Sequence, residues 1–187
     1  MTGLCRRMAR MRTLVCALLL LPGIAAGNED LWSLLQGGGQ IVLIRHALTT
    51  PGAGDPPGMR FDDCSTQRNL SEEGRAHARR IGEAFRKRVV PVERVLSSPW
   101  CRCLETARLA FGKAEVSTPL SNLFGRYENR ESQLRQLRGL VKQKPGKGNL
   151  VLVTHGSTVA ALTGVSPETG EIVIVSGDAK VLGRLVP

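Results

Sequence analysis

The chain has 187 residues, 42% of them hydrophobic and 22% charged, enough for one domain with a sizeable core and without repeats or low-complexity tracts. Its formal net charge of +10 points to nucleic acid, an anionic membrane surface or phosphorylated small substrates. An aromatic content of 4% weakens the first, because single strands need stacking platforms.

Residues 1–27 carry the order of parts of an export signal. Arg6, Arg7, Arg10 and Arg12 precede an uncharged run from Thr13 to Leu21, followed by Pro22 and the small residues Ala25, Ala26 and Gly27. The run is short for a bilayer span, so cleavage near Ala26 or Gly27 and a periplasmic location are expected, with no membrane span left afterwards. Cys16 lies upstream of the small residues, where a lipid-anchored cysteine would not be placed. Residues 28–187 then form a single domain with 26 − 4 = 22 basic and 16 acidic residues, a net of +6. Export also counts against a nucleic-acid partner. Of the three cysteines that remain, Cys64 is expected to pair with Cys101 or Cys103, as an oxidising compartment allows.

Asn28 to Gln36 predicts a short helix ended by Gly37 to Gly39. Ile41 to Ile44, four apolar residues of which three are β-branched, predicts a strand buried on both faces that delivers Arg45 and His46 at its carboxyl end. A Pro- and Gly-rich loop follows from Leu48 to about Asn69, long enough to suggest function, and its Arg60 and Arg68 are potential phosphate ligands. Ser71 caps a helix with Glu72 and Glu73 in its first turn and Arg86, Lys87 and Arg88 in its last, matching the helix dipole. Its buried side is marked by Gly74, Ala78, Ile81 and Phe85, and His77 reads as a surface histidine.

Arg94 to Ser98 predicts a second strand, and Ser98 with Pro99 predicts the N-cap and first position of a helix running to Phe111 with Arg102 near its start. Ala114 to Thr118 suits a short edge strand, and Gln133 to Lys142 a helix. Asn149 to Thr154 is a third buried strand, delivering His155 and Gly156, and a helix from Ser157 to Leu162 follows. Residues 171–175 and 180–186 read as a closing strand pair with a turn at Gly177 and Asp178.

Three strands, each followed by a helix, thus present Arg45 and His46, then Arg102, then His155 at equivalent positions. Parallel strands bring their carboxyl ends to one edge of a sheet, so these side chains should converge. Two histidines and two arginines without a carboxylate pair call for an anion, and a phosphoryl group accepts paired arginine hydrogen bonds while a neutral imidazole attacks its phosphorus. No metal-ligand spacing is visible, and no cofactor is implied.

These blocks resemble the histidine phosphatase superfamily, the fold of the cofactor-dependent phosphoglycerate mutases and many small phosphatases. The resemblance runs through Arg45-His46-Ala47, Leu70 to Gly74, Ser97-Ser98-Pro99, Arg102 with Thr106 and Ala107, and Thr154-His155-Gly156. It implies a mostly parallel sheet flanked by helices in three α/β layers, with His46 as phosphorylated nucleophile. Arg45, Arg102 and His155 would hold the phosphoryl group, with Thr49 and Gly156 beside them. Where the family has its proton donor this chain offers no clean counterpart. Glu128 is the candidate, with Glu131 behind it. The resemblance implies a phosphatase; with the export signal, the leading expectation is an exported, metal-independent phosphatase for a phosphorylated small molecule or an envelope sugar phosphate. The alternatives are a non-catalytic phosphate-binding or envelope interaction domain and, less favoured for so short a chain, a phosphomutase.

Overall fold

The computed structural model describes residues 25–52, 54–125, 128–143 and 145–187. Most of the predicted export signal lies outside them; Ala25, Ala26 and Gly27 open the first helix, α1 (Ala25–Gln36). No described helix is long and apolar enough to cross a membrane.

Six strands form one mixed sheet: β1 (Ile41–Arg45), β2 (Val92–Ser97), β3 (Glu115–Val116), β4 (Asn149–Thr154), β5 (Ile172–Val175) and β6 (Val181–Leu185), in the order β3-β2-β4-β1-β5-β6. The pairs among β1 to β4 are parallel, whereas β5 runs antiparallel to β1 and β6 antiparallel to β5. Every residue of β4 is buried, as a central strand covered on both sides requires.

Alternation along β1 divides the core into two layers. Val42 and Ile44 face α1, α2 (Glu72–Lys87) and α3 (Cys101–Phe111) through Leu35, Phe85 and Ala107. Ile41 and Leu43 face the opposite layer, where α4 (Arg130–Val141) and α5 (Gly156–Thr163) contribute Leu137 and Val159. After β1 the chain therefore crosses to one face, and after the adjacent β4 to the other. The loops diverge between these two strands, which opens a crevice at their carboxyl ends.

Sequence signals locate most ends well. Ser71 accepts a hydrogen bond from the Gly74 amide and starts α2 as expected. The start of α3 is different: it begins at Cys101, with Trp100 at the N-cap and no side-chain cap bond. The reason is a competing anchor. Cys101 forms a disulfide with Cys64 and donates its backbone N–H to Gln67 Oε1 at 2.9 Å, while the Ser98 hydroxyl keeps only a long bond of 3.4 Å from the Trp100 amide beside its closer partner, His155 Nε2. The disulfide choice left open by spacing falls on Cys101, and Cys103 is a buried free thiol whose pKa burial pushes up to about 12.

The disulfide ties the long loop to the head of α3. Its other end is held by a close approach, since a Cβ on Gly74 would stand 1.8 Å from the Leu48 carbonyl oxygen, two residues beyond His46. Gly74→Ala should therefore push α2 off that loop and cost about 1–3 kcal/mol of stability, measured as a shift of the denaturant midpoint.

Candidate active site

The carboxyl ends of β1, β2 and β4 are in register: Arg45 lies opposite Thr154, and Ser97 opposite Val153. The ladder continues one step further, with the His46 amide donating to the Thr154 carbonyl and the Ser98 amide to the Val153 carbonyl. His46, Ser98 and His155 are consequently neighbours although they come from three distant parts of the chain. The two imidazole centroids are 5.4 Å apart, with the rings nearly perpendicular.

A cavity of about 410 Å³ opens at this edge, lined among others by Arg45, His46, Arg68, Arg102, His155 and Gly156. His46 is 5% exposed and its Nδ1 lies 2.9 Å from the Ala47 carbonyl oxygen. A carbonyl only accepts, so the bonded imidazole carries its proton on Nδ1 and leaves the Nε2 lone pair free to attack. Burial, together with the charges of Arg102, Arg45 and Arg68, lowers the pKa of His46 to about 3 against the opposing pull of the Ala47 hydrogen bond. The ring is a neutral nucleophile at ordinary pH. His155 is held well below the usual imidazole range, first by burial and then by His46 and the same arginines. Its Nε2 is 2.8 Å from Ser98 Oγ, and its ring packs edge-on against Trp100.

Three arginines complete the wall. Arg45 donates Nη1 to the Pro167 carbonyl at 2.8 Å, and Arg68 donates Nη1 to Thr49 Oγ1 at 2.8 Å and to the Gly52 carbonyl at 3.1 Å. Arg102, 1% exposed, spends its end-on edge on Asp55: Nη1 is 2.6 Å from Oδ1 and Nη2 is 3.3 Å from Oδ2. In all three, Nε is buried and bonded to no described group. Buried N–H donors rarely go unmatched, and three guanidinium donors on one cavity form a donor set shaped for an oxyanion. Counting formal charges, three guanidiniums and the one Asp55 carboxylate give 3 − 1 = +2, which a phosphate dianion balances.

Asp55 is central to this arrangement. It also accepts from Trp100 Nε1 at 2.9 Å and from the Arg68 amide at 3.1 Å. Burial alone would raise its pKa, but the Arg102 hydrogen bond and charge, with Trp100 and the Arg68 amide, outweigh it and hold Asp55 below the usual carboxylate range. It is an ionised counterion that fixes Arg102, not a proton donor.

The structure brings together Arg45, His46, Arg102, His155 and Gly156. A Cβ on Gly156 would stand 3.3 Å from Arg45 Cδ and Nε, so its role is to leave room for that guanidinium. Two expected site residues stand elsewhere. Thr49 pairs across to Leu70 in an isolated bridge, which turns its hydroxyl to Arg68, so it acts on the cavity only through that arginine. Glu128 is exposed on the turn before α4 and does not line the cavity. Asn122 Oδ1 accepts from the Phe124 amide and from Ser157 Oγ, and this local turn presents Asn122 and Phe124 to the cavity in place of a carboxylate. Among the described residues, no carboxylate lines it.

Of the two loop arginines, Arg68 lines the cavity whereas Arg60 pairs with Asp63 at the surface. His77 is half-buried instead of exposed, its ring against Gly170, whose amide donates to the Arg45 and His46 carbonyls behind the site. Sequence reading missed Asp55, Ser98 as a histidine partner, and Asn122. Only Asp55 carried a signal, an acid inside a Pro- and Gly-rich loop that also held an arginine. Among the described residues no group of His, Cys, Asp and Glu converges as a metal cage.

The family model of the histidine phosphatase superfamily, branch 1, matches residues 41–136. The chain belongs to this superfamily. Its fold is similar to that of the protein histidine phosphatase SixA complexed with tungstate, at 20% identity and a TM-score of 0.54 over 79% of this chain and 97% of that one. It is also similar to a phosphoglycerate mutase from Thermus thermophilus, at 22% identity and a TM-score of 0.53 over 79% and 99% of the two chains. No curated protein sequence matches the chain. As a member of the superfamily the chain has the phosphatase and mutase class of chemistry as its setting, and at these identities the solved structures speak for the fold alone.

Asp55→Asn should leave Arg102 with no counterion and cost about 3–5 kcal/mol in denaturant unfolding, and added orthophosphate should recover more stability in this variant than in the parent. The pH dependence has a definite sign. The unfolded chain protonates His46 near its ordinary value of 6.5 and the folded chain only near 3, so this group removes stability steadily as pH falls from 6.5 toward 3 and contributes no slope above 6.5. Denaturant midpoints measured across that range should slope less in His46→Ala than in the parent.

Proposed function

We propose that the chain is an exported, metal-independent phosphatase that hydrolyses phosphate monoesters of a phosphorylated small molecule or an envelope sugar through a phosphohistidine on His46. The observation that carries this reading is a neutral imidazole with Nε2 free, set in a cavity with three buried arginine Nε–H donors. Export is supported by the composition of residues 1–27, and the Cys64–Cys101 disulfide suits an oxidising compartment.

The reaction follows from the donor set. Phosphoryl transfer needs little besides positioning and stabilisation of charge on the equatorial oxygens, which Arg45, Arg68 and Arg102 supply from fixed positions. His46 Nε2 forms a bond to phosphorus as the bond to the leaving group breaks, and the leaving group departs with the electron pair. Water then attacks the phosphohistidine, breaking the P–N bond to release orthophosphate and regenerate neutral His46. His155, neutral and 5.4 Å away between ring centroids, flanks the reacting group and adds no competing charge.

The carboxylate-free lining favours a second, narrower reading. A leaving alkoxide needs a proton as it departs, and no carboxylic acid among the described lining residues stands ready to give one. Phosphoramidates, acyl phosphates and aryl phosphates carry leaving groups that manage without it. They should turn over faster than alkyl phosphates.

The test is hydrolysis of an aryl phosphate by the purified chain with EDTA present, beside His46→Ala. Loss of about a thousandfold or more in the variant, together with acid-labile, base-stable labelling of the parent, is the expected result. Equal rates in both, or turnover in neither, would leave a phosphate-binding domain as the better reading, and activity that needs added metal and survives loss of His46 would overturn the phosphohistidine mechanism.

A further inference from the structure

The cavity holding His46 continues outward. Phe124, Ser157 and Ala160 line it and also line a second cavity of about 320 Å³, which lies along α5 and reaches Arg130, the first residue of α4. Three features of this extension stand together. Phe124 is 76% exposed at the junction, a large aromatic held there by the Asn122 turn. Two of the extension's lining residues, Ala160 and Ala161, are small and take up little of the space beside Phe124. Arg130 is half-buried yet makes no hydrogen bond or ion pair with any described residue, whereas each arginine of the inner cavity is tied to a carbonyl, a hydroxyl or a carboxylate.

Together these make a second compartment with its own chemistry. An exposed aromatic ring beside small side chains receives the apolar face of a ring, and a guanidinium without a partner among the described residues, lining the same cavity, receives an anion. The inner cavity takes the phosphoryl group, so whatever enters the extension is attached to that group. It is the leaving portion of the substrate.

Resting on the phosphatase reading above, we infer that Phe124 and Arg130 form a leaving-group subsite for a phosphorylated ring that carries a second anionic group. Phe124 packs against the ring and Arg130 pairs with the second anion. The subsite selects among phosphorylated rings; the chemistry at phosphorus stays with the inner cavity.

Glucuronic acid 1-phosphate and glucose 1-phosphate differ by a carboxylate in place of a hydroxymethyl group, and so isolate the second anion. Their binding to the His46→Ala chain, which lacks the nucleophile, is read by titration calorimetry with orthophosphate as reference, so the result does not depend on turnover. The expected result is about tenfold tighter binding of the glucuronic acid compound, a ratio that Arg130→Gln brings close to one. Phe124→Ala should weaken both sugar phosphates about threefold or more relative to orthophosphate. Equal affinities in the parent, a preference that survives Arg130→Gln, or orthophosphate binding with neither sugar phosphate bound would each overturn the inference. Should His46→Ala not fold, the KM ratio of the two compounds with the otherwise unaltered chain and with Arg130→Gln takes its place. Failure of the phosphatase reading is seen separately, as equal aryl phosphate turnover with and without His46.

Discussion

The ion pair between Arg102 and Asp55 is the constraint on which the site depends. A guanidinium 1% exposed, beside two more guanidiniums and two histidines, would be held in place against its own field if no carboxylate faced it. Asp55 resolves this from outside the cavity. By taking the end-on edge of Arg102 it neutralises one charge and leaves Nε without a partner among the described residues. The same carboxylate accepts from Trp100 and from the Arg68 amide, so one loop residue sets two of the three arginines.

That dependence explains why the long loop after β1 is tied down so heavily. The Cys64–Cys101 disulfide joins it to the residue before Arg102, and Gln67 caps the first amide of α3. Gly74 lets α2 rest on the Leu48 carbonyl at the other end of the loop. A loop closed at several points loses little further entropy when an anion arrives, and donors fixed beforehand stabilise developing charge without reorganising. Pre-organisation here is a property of the loop's anchors as much as of the sheet.

Burial does a second job at the nucleophile. In water an imidazole beside three cations would already be mostly neutral; here desolvation adds to their repulsion and holds His46 far below its ordinary range, with the Ala47 carbonyl selecting the tautomer. His155 experiences the same field and gains a hydroxyl partner in Ser98. The free thiol of Cys103, 3.5 Å from His155 Nε2, stays protonated because the same dry environment disfavours a thiolate. Low dielectric therefore assigns each group its protonation state before any substrate enters.

By itself the sequence determined the sheet, its helices and the group of side chains that meet at its edge. Apolar runs of β-branched residues specify buried strands, the Ser71 cap and the charges of α2 specify a helix, and parallel pairing then brings Arg45, His46, Arg102 and His155 together wherever the loops go. Those signals are local or periodic, which is why a single sequence displays them. What only the tertiary structure decided is the work of residues that carry no period: Asp55 in an irregular loop, Arg68 and not Arg60 at the cavity, Thr49 acting through Arg68, Ser98 set against His155, and Glu128 exposed while Asn122 and Phe124 line the cavity. Such roles are set by where distant segments cross in three dimensions, and a hydrogen bond between residues 47 positions apart, such as Arg102 to Asp55, leaves no trace in the order of either neighbourhood.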